Sequence, residues 1–243
     1  MTATLFLVRH AAHELQGVRM VGRREGVGLG PQREAHLAWL RERFSRERLD
    51  AVWSSPIERA RATAEAIAWT LRNSDTEPSR TEALAPGDFA RREIGGDGVI
   101  VDEALTELDF GDWTDLTFDQ LEADPLWAGW NQSKSTLRPP GGESVLAMQA
   151  RMVDAADRIR RAHAGGSVAV VSHGDPIKGL LAYHLGMPAD RIDNFHVDHP
   201  SVSALEIGDW GSRVLFINDR YVADPAGAED DPPLEAEEID DRA

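Results

Sequence analysis

The chain has 243 residues, no cysteine, and 42 acidic against 26 basic residues, which gives a formal net charge of −16. The missing cysteine excludes disulfides, thiolate nucleophiles and cysteine-ligated zinc. An acidic balance of this size disfavours nucleic acids and anionic membrane surfaces as partners, because both are bound through a basic face.

Apolar runs are short throughout the chain. The longest are about strand-length, well below the roughly 18 residues that a membrane-spanning helix needs. The first basic residue, Arg9, follows the apolar run at residues 5–8 instead of preceding it, which is the wrong order for a signal peptide. We therefore expect a soluble, cytoplasmic protein.

The apolar runs alternate with stretches whose apolar residues recur at helical spacing. In the first half we predict a strand at 5–8, a glycine-rich loop at 17–30, a helix at 31–44, a strand at 51–54, a helix beginning at 55–58, and a surface insertion at 73–98. In the second half we predict a strand at 99–101, short and long helices at 117–124 and 144–163, an irregular stretch at 126–142, a strand at 168–171, a helix from 175, and two closing strands at 203–207 and 213–218.

Two helix starts have polar residues that are typical of caps. Ser55 and Glu58 have the spacing of a capping box, with Pro56 as the first helical residue. Asp175 is expected to cap the helix that follows the strand at 168–171.

Strands that alternate with helices predict an α/β fold, here a three-layer α/β/α sandwich around a mainly parallel central sheet. We expect residues 1–222 to form one catalytic domain. Residues 223–243 contain nine acidic residues and one arginine, so we expect a disordered acidic tail.

Three of the predicted strands end next to cationic or potentially cationic side chains. Arg9 and His10 follow the first strand, Arg59 lies shortly after the second, and His173 follows the strand at 168–171. Ligands of α/β sheets bind beyond the carboxyl ends of the strands, so we expect these side chains to converge. Such a group is electrostatically costly unless an anion lies among them, and a phosphoryl group suits the arginine fork.

Five stretches carry motifs: LVRH at 7–10, SSPIERARATA at 54–64, LTELDFGDW at 105–113, PGGES at 140–144, and VVSHG at 170–174. In this order they resemble the histidine phosphatase superfamily, whose fold is phosphoglycerate mutase-like. His13 together with residues 172–178 looks like a subgroup loosely labelled phosphomutases.

The resemblance implies hydrolysis of phosphomonoesters through a phosphohistidine on His10, without a metal ion or any other cofactor. Glu107 would donate and accept the proton. His173 would be both catalytic and phosphate-binding. The other phosphate-binding residues would be Arg9, Arg59 and Gln16, and His13 would line the substrate pocket. The substrate would be a small phosphorylated metabolite, and the enzyme a monomer or homodimer.

Other functions fit parts of the sequence. A phosphomutase would pass the phosphohistidine to a second hydroxyl instead of water. A metallohydrolase is conceivable because His10 and His13, and again His196 and His199, have His-x-x-His spacing, although the arginines would repel a metal. A phosphate-binding module without catalysis is a third alternative, which the joint presence of Arg9, His10, Arg59, Glu107 and His173 disfavours.

Overall fold

The computed structural model describes residues 2–73 and 98–223. The predicted insertion at 73–98 and the predicted acidic tail lie outside the described residues except at their edges, so both stay predictions. The two described ranges pack together around one sheet.

The central sheet has six strands in the order β3-β2-β4-β1-β5-β6. They are β1 (Ala3–Arg9), β2 (Ala51–Ser54), β3 (Val99–Val101), β4 (Ser167–Ser172), β5 (Ser201–Gly208) and β6 (Gly211–Arg220). The first four are parallel to one another, β5 runs antiparallel to β1, and β6 runs antiparallel to β5. The prediction of a mainly parallel sheet is therefore confirmed.

Helices cover both faces of the sheet. They are α1 (Arg33–Ser45), α2 (Glu58–Asn73), α3 (Phe118–Glu122), α4 (Pro125–Gln132), α5 (Val145–Ala162) and α6 (Gly174–His184). Alternate residues of β1 point to opposite faces, so Leu5 and Leu7 pack with α5 and α6, while Phe6 and Val8 pack with α1 and α2. The predicted three-layer sandwich is confirmed, and burial on both faces explains why β1 is a continuous apolar run.

Three local predictions were wrong. The stretch at 126–142 was expected to be irregular, but α4 occupies Pro125–Gln132, because Asp124 accepts a hydrogen bond from the Leu126 N–H and the proline sits in the first turn. Trp130 of this helix is buried in a separate cluster with Trp113 and Phe110.

The other two errors concern caps. Helix α2 begins at Glu58, and the Ser55 hydroxyl accepts from the Ile57 N–H instead of forming a capping box. Helix α6 begins at Gly174, with His173 at its N-cap position, so the Asp175 side chain caps nothing. In both places a side chain that resembles a cap faces the ends of the strands.

Gly111 allows the segments around 109–112 and 139–143 to approach each other closely. Gly111 has φ +51°, and a Cβ there would lie 2.1 Å from the Pro140 carbonyl oxygen. The same carbonyl accepts from the Asp112 N–H at 2.8 Å, and the Glu143 N–H donates to the Asp109 carbonyl at 2.9 Å. The two stretches therefore pair through their backbones, with no space for a side chain between them.

We predict that Gly111→Ala lowers the free energy of unfolding by about 2–5 kcal/mol, from left-handed strain plus overpacking. Gly26→Ala is the matched control, because Gly26 has φ +71° with nothing within 4 Å of the position that a Cβ would take. That variant should lose only about 1–2 kcal/mol, the backbone contribution alone. Denaturant unfolding measures both, and equal losses would contradict the steric argument.

Candidate active site

The carboxyl ends of β1, β2 and β4 lie side by side. Arg9 is in register with Ser172, and Ser54 with Val171. The His10 N–H donates to the Ser172 carbonyl at 3.2 Å, which extends the pairing by one residue beyond β1. The register thus brings the residues that follow each strand to one edge of the sheet.

A cavity of about 210 Å³ opens at this edge. Of the predicted site residues, it is lined by Arg9, His10, His13, Gln16, Arg59 and Glu107. His173 does not line it. His173 is fully buried, and its ring centroid lies 5.0 Å from that of His10. It therefore packs behind a residue that lines the cavity and does not line the cavity itself.

The His10 side chain is held as one tautomer. Its Nδ1 lies 2.7 Å from the Ala11 carbonyl oxygen, which can only accept, so Nδ1 carries the proton. Nε2 accepts a hydrogen bond from Arg59 Nε at 3.1 Å. Burial, and then the charge of Arg59, lower the pKa of His10 well below 6.5. At neutral pH, His10 therefore has an unprotonated Nε2.

Both arginines keep buried donors without partners. Arg59 is 2% exposed, and its Nη2 donates to the Gly22 carbonyl at 2.6 Å. Arg9 Nη1 donates to the Val197 carbonyl. Arg59 Nη1 and Arg9 Nε have no hydrogen-bond partner among residues 2–73 and 98–223. Unpaired buried donors are costly, and an oxyanion in the cavity would satisfy them.

His173 is packed against the same guanidinium. Its Nδ1 lies 3.4 Å from Arg59 Nη2, and its Nε2 lies 2.8 Å from the Ser55 hydroxyl oxygen. Burial, and then the charge of His10, lower the pKa of His173 well below 6.5. A neutral His173 accepts at Nδ1 and donates from Nε2, which fixes both Arg59 and Ser55.

Glu107 lines the same cavity as this cationic group. Its carboxylate accepts from the Leu108 N–H at 2.8 Å. Burial, followed by the charge of Asp175, raises the pKa of Glu107 to about 7. Arg9 and Arg59 lower it, but the burial effect is larger. A carboxyl with this pKa exchanges a proton readily near neutral pH.

The backbone around Glu107 is held by an arginine that the motifs did not reveal. Arg151 of α5 donates to the carbonyls of Ala104 and Thr106 at 2.7 Å and of Glu107 at 3.0 Å. It also forms an ion pair with Glu143 at 2.8 Å. Four acceptors on one guanidinium fix the position of a segment that has little regular structure of its own.

His199 and Asp175 also line the cavity, and sequence reasoning did not place either there. The His199 ring is 4.8 Å from the His10 ring, and its buried Nε2 has no hydrogen-bond partner within the described ranges. Burial lowers the pKa of His199 well below 6.5. Sequence reasoning missed His199 because it did not include the antiparallel pairing of β5 with β1. Since Arg9 pairs with Ser201, β5 begins where β1 ends, and His199 lies just before it.

The described ranges contain no group of three or more histidine or acidic side chains arranged to hold a metal ion. His10, His13 and His199 do lie close together, with ring centroids 4.8–5.9 Å apart. However, burial and then the charges of Arg59 and Arg9 lower the pKa of His13 to about 4. The same two charges would repel a metal cation.

No helix in the described ranges is both long and apolar enough to cross a bilayer.

The sequence matches the family model of the histidine phosphatase superfamily (branch 1) over residues 5–95 and 87–220. A bifunctional protein of Mycobacterium tuberculosis is 35% identical over 221 residues, which cover 88% of this chain and 53% of the relative. The chain thus spans about half the length of that relative. Phosphoserine phosphatase 1 of Hydrogenobacter thermophilus is 26% identical over 219 residues, covering 88% of this chain and 91% of the relative.

Among solved structures, a mycobacterial glucosyl-3-phosphoglycerate phosphatase superposes with a TM-score of 0.71 at 22% identity, covering 90% of this chain and 99% of that chain. This likeness shows that the fold is shared. The family match over most of the sequence shows that the chain belongs to the histidine phosphatase superfamily (branch 1).

Proposed function

We propose that the enzyme hydrolyses small phosphomonoesters through a phosphohistidine on His10, without a metal ion. The observation that carries this proposal is the state of His10: a neutral imidazole whose Nδ1 is bonded to the Ala11 carbonyl and whose Nε2 is unprotonated. Two arginines with spare buried donors surround it. The names of relatives, among them a phosphoserine phosphatase, agree with a small phosphorylated substrate.

In the first step, His10 Nε2 attacks phosphorus, and the bond between phosphorus and the ester oxygen breaks. Arg59 Nε turns from Nε2 to a phosphoryl oxygen, and the free donors of Arg9 and Arg59 bind the others. His173 Nδ1 accepts from Arg59 Nη2 and so holds the guanidinium in position. Protonated Glu107 gives its proton to the leaving oxygen, so that an alcohol departs.

In the second step, Glu107 is a carboxylate and takes a proton from water as the water oxygen attacks phosphorus. The bond between His10 Nε2 and phosphorus breaks, and inorganic phosphate leaves. A pKa of about 7 for Glu107 suits both roles, because acid and base forms are each populated near neutral pH. A mutase would use the same first step and then transfer the phosphoryl group to a second substrate hydroxyl.

An oxyanion in the cavity should raise the pKa of the histidines around it. We expect tungstate to raise the pKa of His10, His13 and His199 by about one unit or more, because the anion stabilises each imidazolium. Histidine ring resonances followed by NMR against pH, with and without tungstate, measure the shift. His163 is the internal control, since it packs on Trp53, away from the cavity. Unchanged pKa values for His10, His13 and His199 would contradict an anion site.

His10→Ala should lose turnover by roughly a thousandfold or more, because the attacking atom is gone. Rapid quench should detect acid-labile, base-stable phosphate on the wild-type protein and none on the variant. His163→Ala, the same substitution away from the cavity, should retain both properties. All assays are made after exhaustive chelation. Turnover that depends on an added divalent ion would favour the metallohydrolase, and transfer mainly to a second alcohol would favour the mutase.

Glu107→Gln should be slow on alkyl phosphates and closer to normal in the first step on p-nitrophenyl phosphate, whose leaving group needs little protonation. In the wild type, the first step on alkyl phosphates should slow as pH rises through about 7, because the acid form is lost, and Glu107→Gln should lack this dependence.

Asp109→Asn provides the comparison for Glu107→Gln. Asp109 lies two residues away, accepts from the Gly111 N–H at 2.9 Å, and keeps an acceptor oxygen as asparagine. It should retain the wild-type pH profile on alkyl phosphates. If Asp109→Asn showed the dependence on leaving group and Glu107→Gln did not, Asp109 would be the acid.

A further inference from the structure

Asp175 is a carboxylate in the cavity wall that the mechanism above does not use. It lies in the first turn of α6, next to Gly174, and lines the cavity together with Glu107. Gly174 lets this turn pack on Arg9, since a Cβ there would lie 3.1 Å from the guanidinium carbon. Asp175 is therefore held beside the phosphate-binding residues by the backbone.

Neither of two nearby cations, Lys178 and Arg9, donates a hydrogen bond to Asp175. Lys178 Nζ lies 2.7 Å from an Asp193 carboxylate oxygen, and Arg9 Nη1 donates to the Val197 carbonyl. Helix α6 has no side-chain cap. Within residues 2–73 and 98–223, Asp175 makes neither a hydrogen bond nor an ion pair. A carboxylate that is partly buried without partners destabilises the free protein, and a bound donor would offset that cost.

The position of Asp175 indicates which part of a substrate would meet it. Asp175 and Glu107 line the same cavity, and the turn that carries Asp175 packs on Arg9. The charge of Asp175 raises the pKa of Glu107, second only to burial, which agrees with this placement. Burial also raises the pKa of Asp175, and the charge of Lys178 opposes this. In the proposed mechanism Glu107 contacts the leaving oxygen. Asp175 then lies beside the leaving group and not beside the phosphoryl oxygens alone.

We infer that Asp175 accepts a hydrogen bond from a hydroxyl or ammonium group on the carbon next to the ester carbon. The inference rests on the proposed function and names its substrate class: phosphomonoesters of small alcohols with such a donor. Phe110 and Met20 line the same cavity and can pack against the carbon chain. A carboxylate in place of the donor would be repelled by Asp175.

The test compares four small phosphates that differ in one group. They are 2-hydroxyethyl phosphate, O-phosphoethanolamine, propyl phosphate and phosphoglycolate. For the wild type we expect kcat/KM five- to tenfold higher on the first two than on propyl phosphate, which corresponds to one net hydrogen bond. Phosphoglycolate should be the poorest substrate of the four.

Two variants then assign the preference to Asp175. Asp175→Ala should bring both ratios to propyl phosphate close to one, and Asp175→Asn should reduce mainly the ammonium ratio, because the amide oxygen still accepts from a hydroxyl. Both variants should improve phosphoglycolate relative to propyl phosphate. Ratios are used because loss of Asp175 also lowers the pKa of Glu107 and changes every absolute rate. Asp154→Asn, on the exposed side of α5, is the matched control and should leave all ratios unchanged.

The outcomes separate this inference from the proposed function. If p-nitrophenyl phosphate forms a phosphoenzyme on His10 but the wild type treats the four alkyl phosphates alike, the inference fails alone. It also fails if the ratios survive in Asp175→Ala. If no phosphoester is turned over and no phosphoenzyme forms, the proposed function fails and the inference fails with it.

Discussion

The burial of two guanidinium groups beside neutral imidazoles is the constraint on which the site depends. Arg59 is almost inaccessible to solvent, and burial lowers the pKa of both Arg59 and Arg9 from its ordinary value. A guanidinium nevertheless keeps its proton in proteins. Both therefore stay charged, and their charge contributes to the low pKa of the histidines around them. In the proposed mechanism, this combination lets the cavity hold a phosphoryl dianion while one imidazole nitrogen stays free to attack phosphorus. The chain's net charge of −16 opposes the binding of an anion only weakly, since salt screens charges beyond roughly 8 Å.

The fold meets this constraint with a rigid frame. Strands β1, β2 and β4 are buried on both faces and in register, so their ends cannot shift relative to one another without breaking the ladder. The antiparallel β5 adds His199 at the same edge, because its first residue pairs with the last residue of β1. The carbonyls of Gly22 and Val197, in loops around the cavity, accept hydrogen bonds from Arg59 and Arg9. These bonds replace part of the water that would otherwise hydrate the two guanidinium groups. The site is thus a property of the sheet edge and not of one motif.

The sequence was sufficient to predict the sheet, because buried strands are continuous apolar runs, and the convergence of Arg9, His10 and Arg59, because parallel strands share an edge. It was insufficient where a side chain has two possible partners. Ser55 has the spacing of a helix cap, yet its hydroxyl contacts His173, which lies 118 positions away in the sequence. Asp175 likewise resembles a cap and instead lines the cavity. Local patterns show that such a residue has a polar partner, but only tertiary packing decides which partner it is.

The location of Glu107 depends most strongly on tertiary packing. The segment that carries it has short 3-10 turns at Glu103–Leu105 and Gly111–Trp113, and no long element to orient it. Its place is set by Arg151, which lies 44 positions along the chain and binds the Glu107 carbonyl. Because Glu143 neutralises Arg151 at 2.8 Å, the arginine can be partly buried there. Arg151 thus joins the two motifs LTELDFGDW and PGGES, which also pair through backbone hydrogen bonds. The carboxyl is held at a depth where burial raises its pKa to about 7, so its acid strength follows from helix α5 as much as from its own sequence.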